Sequence, residues 1–122
     1  MKRVLVTGAT GFIGIEVSRQ LAARGLNPRL MVRRPLRGIM LKHLKAEIRQ
    51  ADLRSLPSIL RAMDGIDTVI HLGARASFES YRRLFPSIVK GSINLMKAAA
   101  VSGVRQVVFG GSLLAYPQMR QN

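Results

Sequence analysis

The chain has no cysteine, which removes disulfides, thiolate metal sites and a cysteine nucleophile together and suits a reducing compartment. Long apolar runs are missing as well. After Met1-Lys2-Arg3 the stretch Val4-Leu5-Val6 is cut off by Thr7-Gly8, far short of a signal-peptide core, and nothing approaches the roughly 18 residues of a membrane span. These absences set the expectation of a cytoplasmic protein with no membrane partner. There is no low-complexity tract or like-charge block either, and 48% hydrophobic with 21% charged residues is a globular balance, so the chain is expected to fold. Its 122 residues suffice for one domain with a real core but not for a second, substrate-binding domain.

Acidic residues are scarce, 6 against 20 basic ones, which leaves a net charge of +14. That excess calls for something anionic nearby. A nucleic-acid binder gathers its charge in one stripe with aromatic residues between, yet aromatics make up only 5% here. Arg3, Arg19, Arg24, Arg29, Arg49, Arg61 and Arg105 stand singly, a pattern of solvated faces. The expectation is therefore no nucleic acid, and a basic surface that meets a cofactor, an acidic partner or a missing portion of the protein.

The pattern alternates strand and helix. Lys2 to Thr7 is a short aliphatic run ending at Gly8, as a buried parallel strand does. Phe12, Ile13, Val17 and Leu21 then recur at helical spacing until Gly25. Pro28 to Arg33 reads as a second strand, a weaker helical stretch follows near Arg37 to Lys45, and Ala46 to Gln50 reads as a third strand. Ser55 is suited to cap a helix carrying Leu56, Ile59, Leu60 and Met63, stopped by Asp64-Gly65. Asp67 to Leu72 is a fourth strand. A long helix lies within Phe78 to Ser102, with Ile88, Ser92, Leu95 and Ala99 on one face and Gly91 allowing close packing there. Val104 to Phe109 reads as strand five. Alternation of this kind predicts an α/β fold with a doubly wound parallel sheet, right-handed crossovers and strand order 3-2-1-4-5.

Thr7-Gly8-Ala9-Thr10-Gly11-Phe12-Ile13-Gly14 places three glycines between the first strand and the first helix. Gly8 permits a tight turn, Gly11 lets a pyrophosphate approach the backbone, and Gly14 lets helix pack closely on strand. The helix N-terminus adds N–H groups and the positive end of its dipole. The motif TGxxGxxG, followed by this layout, resembles the short-chain dehydrogenase/reductase superfamily, and Phe12-Ile13-Gly14 points to its extended, epimerase/dehydratase-like branch. The resemblance runs the length of the chain. It implies a Rossmann-like NAD(P)-binding domain over residues 1–122, truncated after strand five and the segment of the catalytic serine, with the C-terminal substrate region absent.

The resemblance also assigns residues. Thr7, Gly8, Thr10, Gly11, Phe12, Ile13 and Gly14 would form the phosphate turn. Asp52-Leu53 is similar to the Asp-Leu pair that contacts adenine, the carboxylate accepting from the exocyclic amine and the following N–H reaching a ring nitrogen; the alternative for Asp52 is a cap on the approach to a helix. Leu72-Gly73-Ala74, within Val69 to Ala74, resembles the segment on the nicotinamide side, where Gly73 and Ala74 must be small. His71 is expected to be a satisfied strand residue rather than a catalyst. No acidic residue stands at the end of strand two to hold both ribose hydroxyls; Arg33 and Arg34 are there instead, suited to a 2′-phosphate, so NADP(H) is favoured over NAD(H). In so arginine-rich a chain the alternative is a plain basic surface.

Catalysis in this family uses Ser or Thr, Tyr and Lys to move a hydride between nicotinamide and an oxygen-bearing carbon. Gly111-Ser112-Leu113-Leu114-Ala115-Tyr116 resembles the segment carrying the catalytic serine, which places Ser112 there; a turn cap is its other reading. No Tyr-x-x-x-Lys occurs. Tyr116 with Arg120 is not a substitute, since Arg cannot be tuned toward neutrality. Ile88 stands where an Asn is common and Pro117 where Gly is usual. The expectation is the NAD(P)-binding portion of an oxidoreductase, epimerase or dehydratase acting by hydride transfer on a carbonyl or sugar-nucleotide substrate. This chain alone would be inactive, and its partners a small-molecule substrate and, in a homodimer, a second copy. The alternative is a non-catalytic nucleotide-binding module, a redox sensor or structural subunit.

Overall fold

A computed structural model describes residues 3–34, 38, 39, 41–72 and 78–110. The first strand, β1 (Val4–Thr7), is buried at every position, and its side chains alternate between two faces that are both covered. Val4 and Val6 face a cluster with Ala9, Leu30, Val32 and Leu41, against which α1 (Phe12–Ala23) places Ile15 and Leu21. Leu5 points the other way, into a cluster with Met31, Ile59, Met63, Val69 and Leu95. The second face is closed by α2 (Leu56–Ala62) and α3 (Phe78–Ser102). Each fully buried leucine, such as Leu5, Leu30 or Leu95, stabilises the fold by about 2 kcal/mol.

Five strands make one sheet: β2 (Arg29–Val32), β3 (Glu47–Gln50), β4 (Thr68–Leu72) and β5 (Gln106–Gly110) join β1 in the order β3-β2-β1-β4-β5. Every pairing is parallel, with Leu5 opposite both Arg29 and Val69. The predicted doubly wound order is therefore present. Because the order reverses at β1, the helices after β1 and β4 leave on opposite faces, and a crevice opens at the C-terminal ends of these two strands. Ser55 caps α2 as its sequence suggests, accepting from the Ser58 N–H at 3.4 Å.

One expectation is narrowed and one is corrected. Among the described residues, the weak helical stretch near Arg37 to Lys45 is narrower than expected, a short 3-10 segment at residues 38, 39 and 41 followed by turns: the Lys42 N–H donates to Ile39 O and the Leu44 N–H to Leu41 O. Leu41, fully buried, pins these turns to the core. Arg29 is not on a solvated face. Its side chain is 6% exposed, pairs with Glu47 through Nε at 3.1 Å, and donates from Nη1 to Ala62 O and Asp64 O at 2.7 Å each. The guanidinium thus satisfies carbonyls at the C-terminal end of α2 that the helix itself leaves unpaired. Arg29→Ala strands those buried acceptors and is expected to destabilise the fold by about 3 kcal/mol, read from the urea midpoint. A loss under about 0.5 kcal/mol, as for an exposed arginine, would show that the bonds are not maintained in solution.

Candidate nucleotide-binding site

The site is built where β1 hands over to α1. Gly8 turns the chain with φ +69°, and a Cβ on it would stand 2.6 Å from Leu72 O, the last residue of β4. The Gly11 N–H donates back to Gly8 O at 3.1 Å, and Gly11 is the N-cap of α1 without a side-chain cap bond. Gly14 is buried against the turn; a Cβ there would stand 1.8 Å from Gly8 O and 2.9 Å from Ala9 Cα. Glycine thus lets helix, turn and strand end meet in direct backbone contact, and the helix start above them, with no side-chain cap and no acidic residue in its first turn, is suited to a phosphate group. Phe12 and Ile13, which flank it, expose 76% and 64% of their surface.

Thr10, Val32, Arg33 and Arg34 line a cavity of about 220 Å³ next to this turn. The sequence separates Thr10 from the arginines by more than twenty residues, yet the parallel pairing of β1 and β2 brings both strand ends to the same rim. Arg33 and Arg34 are exposed in the bend after β2, so their charges are presented to solvent at the cavity. Asp52 and Leu53 lie at the neighbouring rim position, after β3, and are half-buried. The Asp52 carboxylate accepts from the Arg54 N–H at 2.9 Å and from Arg54 Nη2 at 2.8 Å. These bonds, chiefly the side-chain one, hold its pKa below the ordinary 3.8, with a lesser contribution from the charge of Arg33. Asp52 therefore forms the loop turn that leads into α2, with both carboxylate oxygens bonded to Arg54.

Thr7 differs from its neighbours in the motif. Its side chain is turned into the sheet, where the hydroxyl and His71 Nδ1 share a 2.5 Å hydrogen bond. His71 is indeed a satisfied strand residue: its Nε2 lies 3.4 Å from Ser92 Oγ on α3, and its ring meets Phe109 edge to face at 5.0 Å. Burial pushes the His71 pKa below the ordinary 6.5. A depressed base pKa means that the unfolded chain takes up a proton before the folded one does. Its contribution to stability is complete above 6.5 and is lost as pH falls from there toward the folded value. Between about pH 7 and about pH 5, the wild type is expected to lose stability more steeply than His71→Asn, as measured by urea unfolding. Equal slopes would show that His71 is solvated.

The structure thus brings Gly8, Thr10, Gly11, Phe12, Ile13, Gly14, Arg33, Arg34, Asp52, Leu53 and Leu72 to the C-terminal rim of one sheet. Gly73, Ala74 and Ser112 lie outside the described residues. Sequence reasoning missed Arg54 and Asn94. The Asp-x-Arg spacing could have shown the first, since Asx turns recur at that interval. Asn94 offered no signal, because its partner, Leu53 O, is a main-chain atom 41 residues away. Among the described residues no helix is long and apolar enough to cross a membrane, and no cluster of candidate metal ligands occurs.

A parallel sheet of this order, with a glycine turn at its switch point, defines a Rossmann-type nucleotide-binding fold. Comparison with known proteins takes this further: the sequence pattern of the NAD dependent epimerase/dehydratase family matches residues 4–122, and the chain belongs to that family. It is 39% identical over 110 residues to sterol demethylase protein B of Methylococcus capsulatus, covering 88% of this chain and 34% of that one. Cinnamoyl-CoA reductase 1 of Oryza sativa subsp. japonica is 35% identical over 116 residues, covering 89% and 34%. Among solved structures, a short-chain dehydrogenase/reductase superfamily protein from Agrobacterium tumefaciens with bound NAD superposes with TM-score 0.78 and 31% identity, over 97% of this chain and 35% of its own. The chain spans about a third of the length of these relatives.

Proposed function

We propose that this chain is the NAD(P)-binding portion of an oxidoreductase, epimerase or dehydratase that moves a hydride to or from a carbonyl or sugar-nucleotide substrate, with NADP(H) preferred. The observation that supports the reading is the glycine turn: Gly8 and Gly14 let β1, α1 and the end of β4 meet backbone to backbone, so that the start of α1, without a side-chain cap or an acidic first turn, stands directly over the turn. When bound, the nicotinamide supplies the hydride donor or acceptor. The residues of the chain bind and orient: Gly8 to Gly14 hold the diphosphate, Asp52 and Leu53 the adenine, and Gly73 and Ala74 leave space on the nicotinamide side. Ser112 is assigned the hydrogen bond to the substrate oxygen. With no Tyr-x-x-x-Lys to complete that site, the chain alone is expected to bind without turnover. Val89, Ile93 and Met96, exposed along one side of α3, support packing against a second copy.

The NADP(H) preference rests on Arg33 and Arg34 at the cavity rim and on the lack of a carboxylate in the bend after β2. The Agrobacterium relative holds NAD, which supports a dinucleotide site and makes NAD(H) the competitor to test. Thermal unfolding with each cofactor decides, because a ligand at about 100 times its dissociation constant adds about 2.7 kcal/mol. NADPH is expected to raise the melting temperature more than NADH at equal concentration. Equal shifts would remove the preference, and no shift with either would remove the cofactor.

A further inference from the structure

We propose that Arg54 sets the base selectivity of the nucleotide site by competing with adenine for the Asp52 carboxylate; this rests on the dinucleotide reading above. A carboxylate offers about four lone-pair positions, shared equally by its two oxygens. Here all of them are occupied. Asp52 Oδ1 accepts from the Arg54 N–H at 2.9 Å and from Arg54 Nε at 3.2 Å, and Oδ2 accepts from the same Nε at 3.2 Å and from Nη2 at 2.8 Å. An exocyclic amine that arrives at this rim finds no unoccupied acceptor on Asp52 until the Arg54 side chain lets go.

The clasp is separable from the fold. The Arg54 side chain is 71% exposed, against 28% for that of Asp52, and among the described residues its guanidinium bonds only this carboxylate. Asp52, by contrast, is placed without it: its N–H donates to Ser58 Oγ at 3.0 Å, and its carbonyl accepts from the Ser55 N–H at 2.9 Å. The main-chain N–H of residue 54 reaches Oδ1 whatever side chain that residue carries. Removing the guanidinium therefore leaves Oδ1 its main-chain donor and releases Oδ2, on a carboxylate that stays at the rim. Arg33 acts on Asp52 through its charge and occupies neither oxygen. A released Oδ2 favours a base that presents an amine and repels one that presents a carbonyl, which is how adenine and hypoxanthine differ at C6.

The test measures dissociation constants of NADPH and of the matching hypoxanthine dinucleotide on the whole chain by calorimetry, in the wild type and in Arg54→Ala. Their ratio is the readout, because the loss of one positive charge from the rim weakens both ligands alike, and the differing ring nitrogen is common to every variant. The preference for adenine is expected to rise about fivefold in Arg54→Ala, the upper end for an exposed ion pair of good geometry. Arg54→Met, which keeps an apolar stem without donors, is expected to give the same rise and serves if the alanine variant does not fold. The double variant Asp52→Ala/Arg54→Ala is expected to lose the gain. An unchanged ratio in a folded Arg54 variant, or a rise that persists without the Asp52 carboxylate, overturns the competition while leaving the cofactor reading intact. A wild type that binds neither dinucleotide overturns the cofactor reading and this inference with it.

Discussion

Gly14→Ala is expected to abolish dinucleotide binding and to lower the melting temperature by about 10 °C or more. The added Cβ would stand 1.8 Å from Gly8 O, and both atoms belong to backbone that cannot swing aside as a side chain does. Either α1 moves away from β1 or the turn opens, and each costs about 3 kcal/mol, a large share of the stability of a small domain. Gly11→Ala is the informative contrast. Gly11 has an ordinary φ of −75°, and its Cβ would lie 3.3 Å from Gly8 O, close enough to press but not to displace. Its melting temperature is expected to change by only about 2 °C while affinity for the dinucleotide falls about tenfold or more, because the methyl group stands where the diphosphate approaches the backbone. Loss of affinity in Gly14→Ala with full affinity in Gly11→Ala would show that the turn is a packing device and not a phosphate cradle.

The double variant Arg33→Ala/Arg34→Ala is expected to weaken NADPH about 100-fold and NADH by no more than about threefold. Two charge-assisted hydrogen bonds to a 2′-phosphate contribute about 3 kcal/mol together, and NADH has no group to receive them. The control is built into the composition: with +14 net charge, a general attraction for any polyanion would fall equally for both cofactors and would be restored by removing salt. A parallel drop would therefore return Arg33 and Arg34 to the basic surface.

How much of this was legible in the sequence depends on the kind of contact. The sheet order could be read because the aliphatic runs of β1, β2 and β4 are buried on both faces, and period and punctuation alone then distinguish strand from helix. The glycine turn could be read because three glycines serve three separate steric needs at fixed intervals. The burial of Arg29 could not: nothing local marks one arginine among fifteen as the one that reaches carbonyls at residues 62 and 64. Nor could the inward turn of Thr7, which is set by His71 on a strand 64 residues away. In the Arg37 to Lys45 stretch the helical character could be read but not its extent, because a short 3-10 segment and the turns after it suffice to bury Leu41. For Asp52, the local reading weighed from sequence finds its physical basis in the bonds from Arg54 to the carboxylate in the turn before α2.

The central claim, that main-chain N–H groups between residues 8 and 14 converge on a diphosphate, is tested most directly by following backbone amide resonances while NADPH is titrated in. Saturable shifts are predicted for Gly8, Gly11, Ile13 and Gly14 that persist at about 0.5 M salt, where exposed charge attraction is screened to within a few ångströms. Shifts confined to arginine-rich surface positions, vanishing as salt is raised, would contradict it.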